Sequence, residues 1–516
     1  MKKTIYGLLF MSILGLSACY EDESSLGHGS VNDITITMAT ETTVSIPSFQ
    51  GVNLKNIPEL KPEISSIYPE SELSYAWYLF KDDAESENGY KDFLIASTKE
   101  PDYEVNLPSG SYTLLFEVSS GSFTQTATYN LSVATSTAKG FYILKETTDG
   151  NTELDLYNET GLNSNLIEGY TGAPLQGKPL NLVTYYSGEF IDPVENVTSS
   201  GNVIYAFTKD NQFKGFRSED FTEVFNNENL LYSGVMPTDE TPYTFAISMF
   251  STFFFSSKGV YSAQLGSASG DAPNSGKMGY PTGNGASQYV QMIDMGMNFA
   301  YWDNTNHTLN YIDYNAVSAI PYDEMKELPT DMICISSGCN YVGGILQSYF
   351  LCEQLSNGDR YLLLVSSSIG IDQIIKLDSS LHLAKGNIIC TNGLTANYIY
   401  CVDENKVYAY SWMDGKERTV NLIGIPEAET ISYISNQYLN VNSSYDFDKF
   451  IVATNNGENY KLYLYDKGDM NGGVPLKEPT DIIEGTGTVR AVRFIAPISI
   501  SGFDLSFYNN PYPMCD

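Results

Sequence analysis

The chain reads as all-β, a small sandwich-like module followed by a long array of repeated sheets, and three observations carry that reading. Tyrosine, with 39 copies, and phenylalanine, with 25, are abundant, and aromatic residues favour pleated, half-buried strands. Apolar side chains alternate with polar ones over short runs, the period of a strand, and no helical period runs far. Past residue 140 one unit recurs: an apolar strand, a polar turn, then a second strand rich in Tyr or Leu. Hydrophobic residues make up 42% of the 516, which excludes general disorder and leaves enough for a large core and more than one domain.

At the start, Lys2 and Lys3 precede an apolar run from Ile5 to Leu16. That run is too short to span a bilayer and has the layout of a secretory signal peptide, residues 1–18. Its end, Leu16-Ser17-Ala18-Cys19, resembles the lipobox of bacterial lipoproteins, which implies that Cys19 is acylated and becomes the new N-terminus. Each buried methylene of an acyl chain contributes about 0.8 kcal/mol, so two or three chains hold a protein on its membrane without a spanning segment. Residues 19–33, rich in Ser, Gly and acid, read as a flexible lipidated linker. Glu21, Asp22 and Glu23 resemble the signal that sends lipoproteins of Bacteroidetes-type bacteria to the outer face of the outer membrane; the alternative is a solvated acidic tether. The formal charge is -34, and losing Lys2 and Lys3 with the leader makes it -36. Such a surface repels nucleic acid and anionic lipid, so membrane attachment falls to the acyl group alone.

Residues 34–134 carry short alternating strands, among them Ile34–Met38 and Ser74–Phe80. Tyr112, Leu114, Phe116 and Val118 fall on one face of a later strand, and Thr124–Val133 returns beside it. About 100 residues of this kind around a central tryptophan predict an immunoglobulin-like sandwich, with Trp77 packed between its sheets. Tyr75-Ala76-Trp77 and Gly110-Ser111-Tyr112, with Phe116 and Val118, resemble the PKD-type sandwich domains of extracellular proteins. The Gly-Asp turn usual after the tryptophan is replaced by Tyr78-Leu79-Phe80-Lys81-Asp82-Asp83, which marks a PKD-like variant.

From residue 140 to 497 the repeat takes over. Its seven instances are Phe141–Leu144 with Leu154–Tyr157, Val203–Phe207 with Phe213–Phe216, Phe253–Phe255 with Val260–Tyr261, Phe299–Trp302 with Leu309–Ile312, Tyr361–Val365 with Ile374–Leu377, Ile399–Val402 with Val407–Tyr410, and Ile451–Thr454 with Tyr460–Leu464. The first and last begin 310 residues apart, a mean period of about 52, within the range of propeller blades. A four-stranded blade cannot bury both faces alone, so this pattern predicts a β-propeller, with seven blades and with six or eight left open. Val489–Ile495 is the strand expected to close it, and residues 498–516 form a C-terminal tail. The alternative fold is a chain of sandwich domains.

The chemistry-bearing residues are sparse. His28, His307 and His382 lie far apart and read as surface residues, which excludes a His-based zinc site or triad. No nucleophile elbow, phosphate loop or EF-hand series occurs; Asp149-Gly150-Asn151 and Asp414-Gly415-Lys416 read as hairpin turns. Cys334, Cys339, Cys352, Cys390, Cys401 and Cys515 match no zinc spacing and read as buried or partly paired, one or two local disulfides being open to an exported protein. With 62 acidic residues, a carboxylate pair for glycoside hydrolysis is always available on paper, so its presence decides nothing. Neither catalytic nor metal-binding nor cofactor-binding residues are expected. Trp302 and Trp412 read first as core and second as a stacking platform. The stretches 158–200 and 265–290, rich in Gly, Ser, Asn and Tyr, read as long inserts where binding specificity would reside.

Taken together, the lipobox with its acidic export signal, the PKD-like module and the repeated sheets resemble the PKD-like surface lipoproteins that accompany SusC/SusD-like transporters in Bacteroidetes. The resemblance implies a noncatalytic outer-membrane lipoprotein facing the cell exterior, an accessory subunit that captures oligopeptides or glycans. Its implied partners are a SusC-like TonB-dependent transporter and a SusD-like lipoprotein. The alternatives are a surface polysaccharide hydrolase or lyase on a propeller, and an adhesin or scaffold.

Overall fold

A computed structural model describes residues 33–498, except 39–42, 48–51, 82–83, 85, 106, 108–109, 122, 135–136, 194–195, 249–250, 265–275, 295–297, 314–317, 343–344, 392–397, 440–443, 467–474 and 476. It is all-β and divides into two compact units, residues 1–135 and 136–516.

In the first unit a five-stranded sheet runs in the order Thr43–Pro47, Phe123–Ala134, Gly110–Ser120, Ser74–Phe80, Leu94–Ala96. The first pair is parallel and the others antiparallel. Two short pairs accompany it, Ile34–Thr37 with Glu63–Ser66 and Val52–Asn53 with Glu104–Val105. Tyr112, Leu114, Phe116 and Val118 share the buried face, as their alternation demands. Trp77 is fully buried and stacks on Phe116 with centroids 4.2 Å apart. Its indole N–H donates to Lys99 O at 3.4 Å, so the one polar atom of the ring is satisfied.

The second unit holds seven successive antiparallel sheets among its described residues. Sheet I joins Thr488–Ile495, Gly140–Glu146, Thr152–Asn158 and Gly161–Asn163; sheet II is Pro179–Ile191, Thr198–Thr208, Phe213–Arg217 and Glu223–Asn226. Sheet III is Pro242–Ile247, Ser251–Ser256 and Gly259–Gln264; sheet IV is Val290–Ile293, Asn298–Asp303, Thr308–Ile312 and Ala319–Pro321. Sheet V is Met332–Val342, Ile345–Gln354, Arg360–Val365 and Gln373–Lys376; sheet VI is Ile388–Thr391, Ile399–Asp403, Lys406–Ser411 and Lys416–Val420. Sheet VII is Thr430–Leu439, Phe447–Asn456, Asn459–Asp466 and Asp481–Thr486. Each of the seven hairpins read from the sequence falls in a different sheet. In sheet V, however, the hairpin Tyr361–Val365 with Ile374–Leu377 supplies the outer two strands. The first strand there carries Ser, Gly and Cys at its middle positions and so has a weak apolar signature.

Polar and aromatic side chains stitch each sheet to the next. Asn202 Nδ2 donates to Ala496 O at 3.0 Å between sheet II and the end of sheet I, and Tyr185 and Thr252 share a hydroxyl bond between sheets II and III. Phe253 meets Phe299 edge-on at 5.3 Å between III and IV, Gln291 Nε2 donates to Ser337 Oγ at 2.9 Å between IV and V, and Trp412 Nε1 donates to Gln347 Oε1 at 3.1 Å between V and VI. Asn436 Nδ2 bonds Thr391 O between VI and VII, and Val492 N donates to Tyr433 Oη at 3.2 Å between I and VII. The last strand, Thr488–Ile495, pairs with the first, Gly140–Glu146, so sheet I contains both ends of the repeat.

Candidate functional sites

Cys19, Glu21, Asp22, Glu23, His28 and Cys515 lie outside the described residues. Trp302 is fully buried and Trp412 is 7% exposed, so both are core and neither forms a platform. The insert expected at 158–200 is a correction: it is a strand, the helix Leu166–Thr171 and the long hairpin that opens sheet II. Many of its Ser, Gly and Asn residues sit at turns and hairpin ends, while Asn181, Ser187 and Gly188 lie within Pro179–Ile191 at its register shifts. Of 265–290, the described part begins at residue 276 and is tied to its neighbours, Val260 N to Thr282 O at 2.9 Å and Met278 N to Leu230 O at 2.9 Å. Cys334, Cys339, Cys352, Cys390 and Cys401 are buried thiols, the first of the two readings the sequence left open. Cys334 and Cys352 stand opposite each other across two strands, and burial and Cys352 together push the Cys334 thiol well up. His382 is not a bare surface residue. It pairs through Nδ1 with Asp403 Oδ2 at 2.7 Å and stacks on Tyr408 at 3.5 Å.

Among the described residues, two clefts are considered as sites, one in each unit. In the first unit the strand Ser74–Phe80 ends at Phe80, and the short 3-10 turn Gly89–Phe93 returns Tyr90 and Phe93 toward it. A cavity of about 650 Å³ lies among Phe80, Lys81, Ala84, Ser86, Glu87, Gly89, Tyr90 and Phe93. A second, of about 350 Å³, shares Phe80, Lys81, Ala84 and Phe93 and reaches Tyr103, Leu107 and Tyr112. The rings are held: Tyr90 meets Tyr78 edge-on at 5.0 Å, and Phe93 lies 5.9 Å from Phe80. Tyr90 Oη donates to Glu117 Oε2 at 3.0 Å. Burial and the Glu117 carboxylate raise the Tyr90 hydroxyl above its usual range, so it stays protonated. Lys81 Nζ sits 5.5 Å from the centroid of Tyr112. Ring faces beside an ammonium group suit an apolar or sugar-ring surface that also offers an acceptor oxygen.

In the second unit a cleft of about 370 Å³ opens where sheets I and VII meet. In sheet I, Lys145 is directly opposite Glu153, and the period-2 pleat puts Asp155 on the same face. All three side chains are buried, while Leu154 and Leu156 fill the other face. Lys145 Nζ lies 2.7 Å from Asp155 Oδ1, with the two side chains 2% and 0% exposed. Asp155 also accepts from Asn165 N at 2.9 Å and from Tyr460 Oη at 2.8 Å. Glu153 accepts from Leu154 N and Ile167 N at 3.1 Å and from Glu168 N at 2.8 Å, satisfying first-turn N–H groups of the helix Leu166–Thr171. Burial nonetheless outweighs those donors and Lys145, and the Glu153 carboxyl sits above its usual range. The rim is the hairpin turn Thr147–Asn151, closed by Gly150 in a left-handed conformation that glycine adopts without strain, with Glu458 and Gly487 from sheet VII. Sequence reasoning missed this site. Its available signal was three charged residues on one face of two strands whose other face is Leu.

Residues 19–179 match the model of the PKD-like family, a span that starts at Cys19 and reaches the beginning of sheet II. No curated protein matches the chain. Among solved structures, a quinonprotein alcohol dehydrogenase-like protein from Bacteroides thetaiotaomicron aligns at 12% identity over 89% of this chain and 99% of that one, with a TM-score of 0.38. A putative 6-phosphogluconolactonase from Bacteroides uniformis aligns at 11% identity over 69% of this chain and 100% of its own, also at 0.38. At that level of identity and superposition they fix neither activity nor ligand for this chain.

Proposed function

We propose that this protein is a noncatalytic, lipid-anchored surface protein that captures oligopeptides or glycans as an accessory subunit of a SusC/SusD-like importer. It is built from a PKD-like sandwich and a seven-bladed β-propeller closed by its own last strand. The capture role rests on the aromatic cavity around Phe80, Tyr90 and Phe93 with Lys81 at its side. The location rests on Leu16-Ser17-Ala18-Cys19 and the acids Glu21, Asp22 and Glu23 that follow. The propeller rests on seven sheets in sequence, each stitched to the next, with both ends of the repeat in sheet I. Anchoring beside an importer raises the effective concentration of captured cargo, so a weak site suffices.

The test is solubilisation of native membranes in mild detergent and capture of the tagged protein. A TonB-dependent transporter and its lid lipoprotein are expected in the eluate, and labelled palmitate is expected in the wild type but not in C19A. Recovery of the protein alone under conditions that keep other importers intact would sink the accessory role. An adhesin would also purify alone, and a hydrolase would shorten glycans on incubation.

A further inference from the structure

We infer that Cys334 and Cys352 close into a cross-strand disulfide as the chain folds in an oxidising compartment, an inference whose place of action rests on the exported reading of the leader. Register brings the two together. They are direct partners on the first two strands of sheet V, Met332–Val342 and Ile345–Gln354. Residues opposite each other in an antiparallel pair hold their Cα atoms about 4.5 or 5.5 Å apart, depending on the hydrogen-bonding position, and both spacings fall within the roughly 4.4–6.8 Å that a disulfide spans. The other described cysteines have no such partner: Cys339 stands opposite Ser348, Cys390 opposite Tyr400, and Cys401 between Ile389 and Tyr408. Those three pack into three different apolar clusters, whereas Cys334 and Cys352 share one with Trp302, Met332, Phe350 and Leu363.

The bond would fall where apolar patterning holds the hairpin least, beside Ser336, Ser337 and Gly338. Joining residues 18 positions apart removes loop-closure entropy from the unfolded chain and so favours the hairpin. Both residues are thiols in this structure, and Cys334 Sγ donates to Ser336 O at 3.3 Å. Oxidation takes one proton and one electron from each thiol, gives up that hydrogen bond, and forms one S–S bond between the two sulfurs. The oxidant is a disulfide of the thiol–disulfide oxidoreductase class, whose own S–S bond accepts both electrons and both protons and ends as two thiols. Attack needs a thiolate, and in the folded protein burial first, then a hydrogen bond with Cys352, push the Cys334 thiol well up. The exchange therefore precedes the packing of sheet IV on sheet V, and the finished bond lies out of reach of soluble thiols.

The test is disulfide mapping of the full-length protein taken from its native membranes, unfolded in urea with iodoacetamide and no reductant, then digested and weighed. The peptides carrying Cys334 and Cys352 are expected to appear joined and to separate on reduction, while Cys339, Cys390 and Cys401 are alkylated. A bond from either residue to another cysteine would overturn the pairing. The same protein, reduced and then refolded from urea in a glutathione redox buffer, tests the pairing apart from location. Failure to form the bond there overturns the pairing; formation there but not in the native sample leaves the pairing standing and sinks the exported reading. The oxidised protein is expected to unfold at higher urea than the same protein refolded with excess reductant, and C334S/C352S is expected to lose that difference; a difference that survives in the double variant would remove the bond as its cause. Dithiothreitol is expected to open the bond in urea and to leave it intact in the folded protein, and opening at equal rates would overturn its burial.

Discussion

The two units treat charge in opposite ways. In the sandwich, the ion pairs lie at the surface: Lys55 and Asp102, 2.9 Å apart, leave 41% and 60% of their side chains exposed. Its interior is Trp77, Phe116, Tyr129 and aliphatics. In the array of sheets, Lys145 and Asp155 meet at 2.7 Å with 2% and 0% exposed, and Arg493 and Glu153 are buried as well. A sandwich shuts its core between two faces and keeps polar groups outside. A repeated array has junctions where sheet ends meet and where side chains from two sheets share one polar space. The lesson is that the sandwich offers an apolar site at the edge of its core, and the array offers a polar site at a seam.

The contrast can be broken most severely at Trp77. W77A removes a fully buried ring from the sandwich core and is expected to cost about 3–5 kcal/mol. In urea, the first unit's transition should shift to lower denaturant while that of the second unit stays in place; a shift of both would mean the units do not unfold independently. Next come the ion pairs. K145M leaves Asp155 buried without its cation and is expected to cost about 3–5 kcal/mol, whereas K55A is expected to stay within about 1 kcal/mol. Equal costs in chemical denaturation would erase the distinction between seam and surface.

The smallest effect is a pH dependence at Asp220. Burial acts to raise its carboxyl, but Arg217 donates to it through Nε at 2.9 Å and Nη2 at 2.5 Å, and the net position is below the usual carboxylate range. A depressed folded pKa contributes stability above the ordinary carboxylate pKa and loses it as pH falls through the lower, folded value. D220N is therefore expected to cost about 1 kcal/mol at neutral pH, with the gap to wild type closing as pH falls through that lower value. A gap constant with pH would remove the carboxylate from the account.

Much of the fold was legible because strand alternation is local. The alternating face from Tyr112 to Val118, the buried Trp77, a hairpin in each of seven sheets and the final strand at Val489–Ile495 all follow from spacing alone. The first strand of sheet V was not legible, since Ser336, Ser337 and Gly338 carry no apolar signal and are buried only in the folded protein. The stretch 158–200 misled for the related reason that turn-forming residues also end helices and strands. The polar cleft was hidden because Lys145, Glu153 and Asp155 look like any exposed acids and bases until sheet VII and the helix Leu166–Thr171 close over them.

By itself the sequence determined most of the segments that are strands and where the chain changes from one module to the next. Those properties depend on neighbours a few residues apart. Only the tertiary structure decided which charges lose their water, that Cys334 faces Cys352, and that Tyr460 of sheet VII reaches Asp155 of sheet I. Each joins residues distant in the chain, as Tyr460 and Asp155 are, and a hydrogen bond or a desolvation cost depends on separation in space.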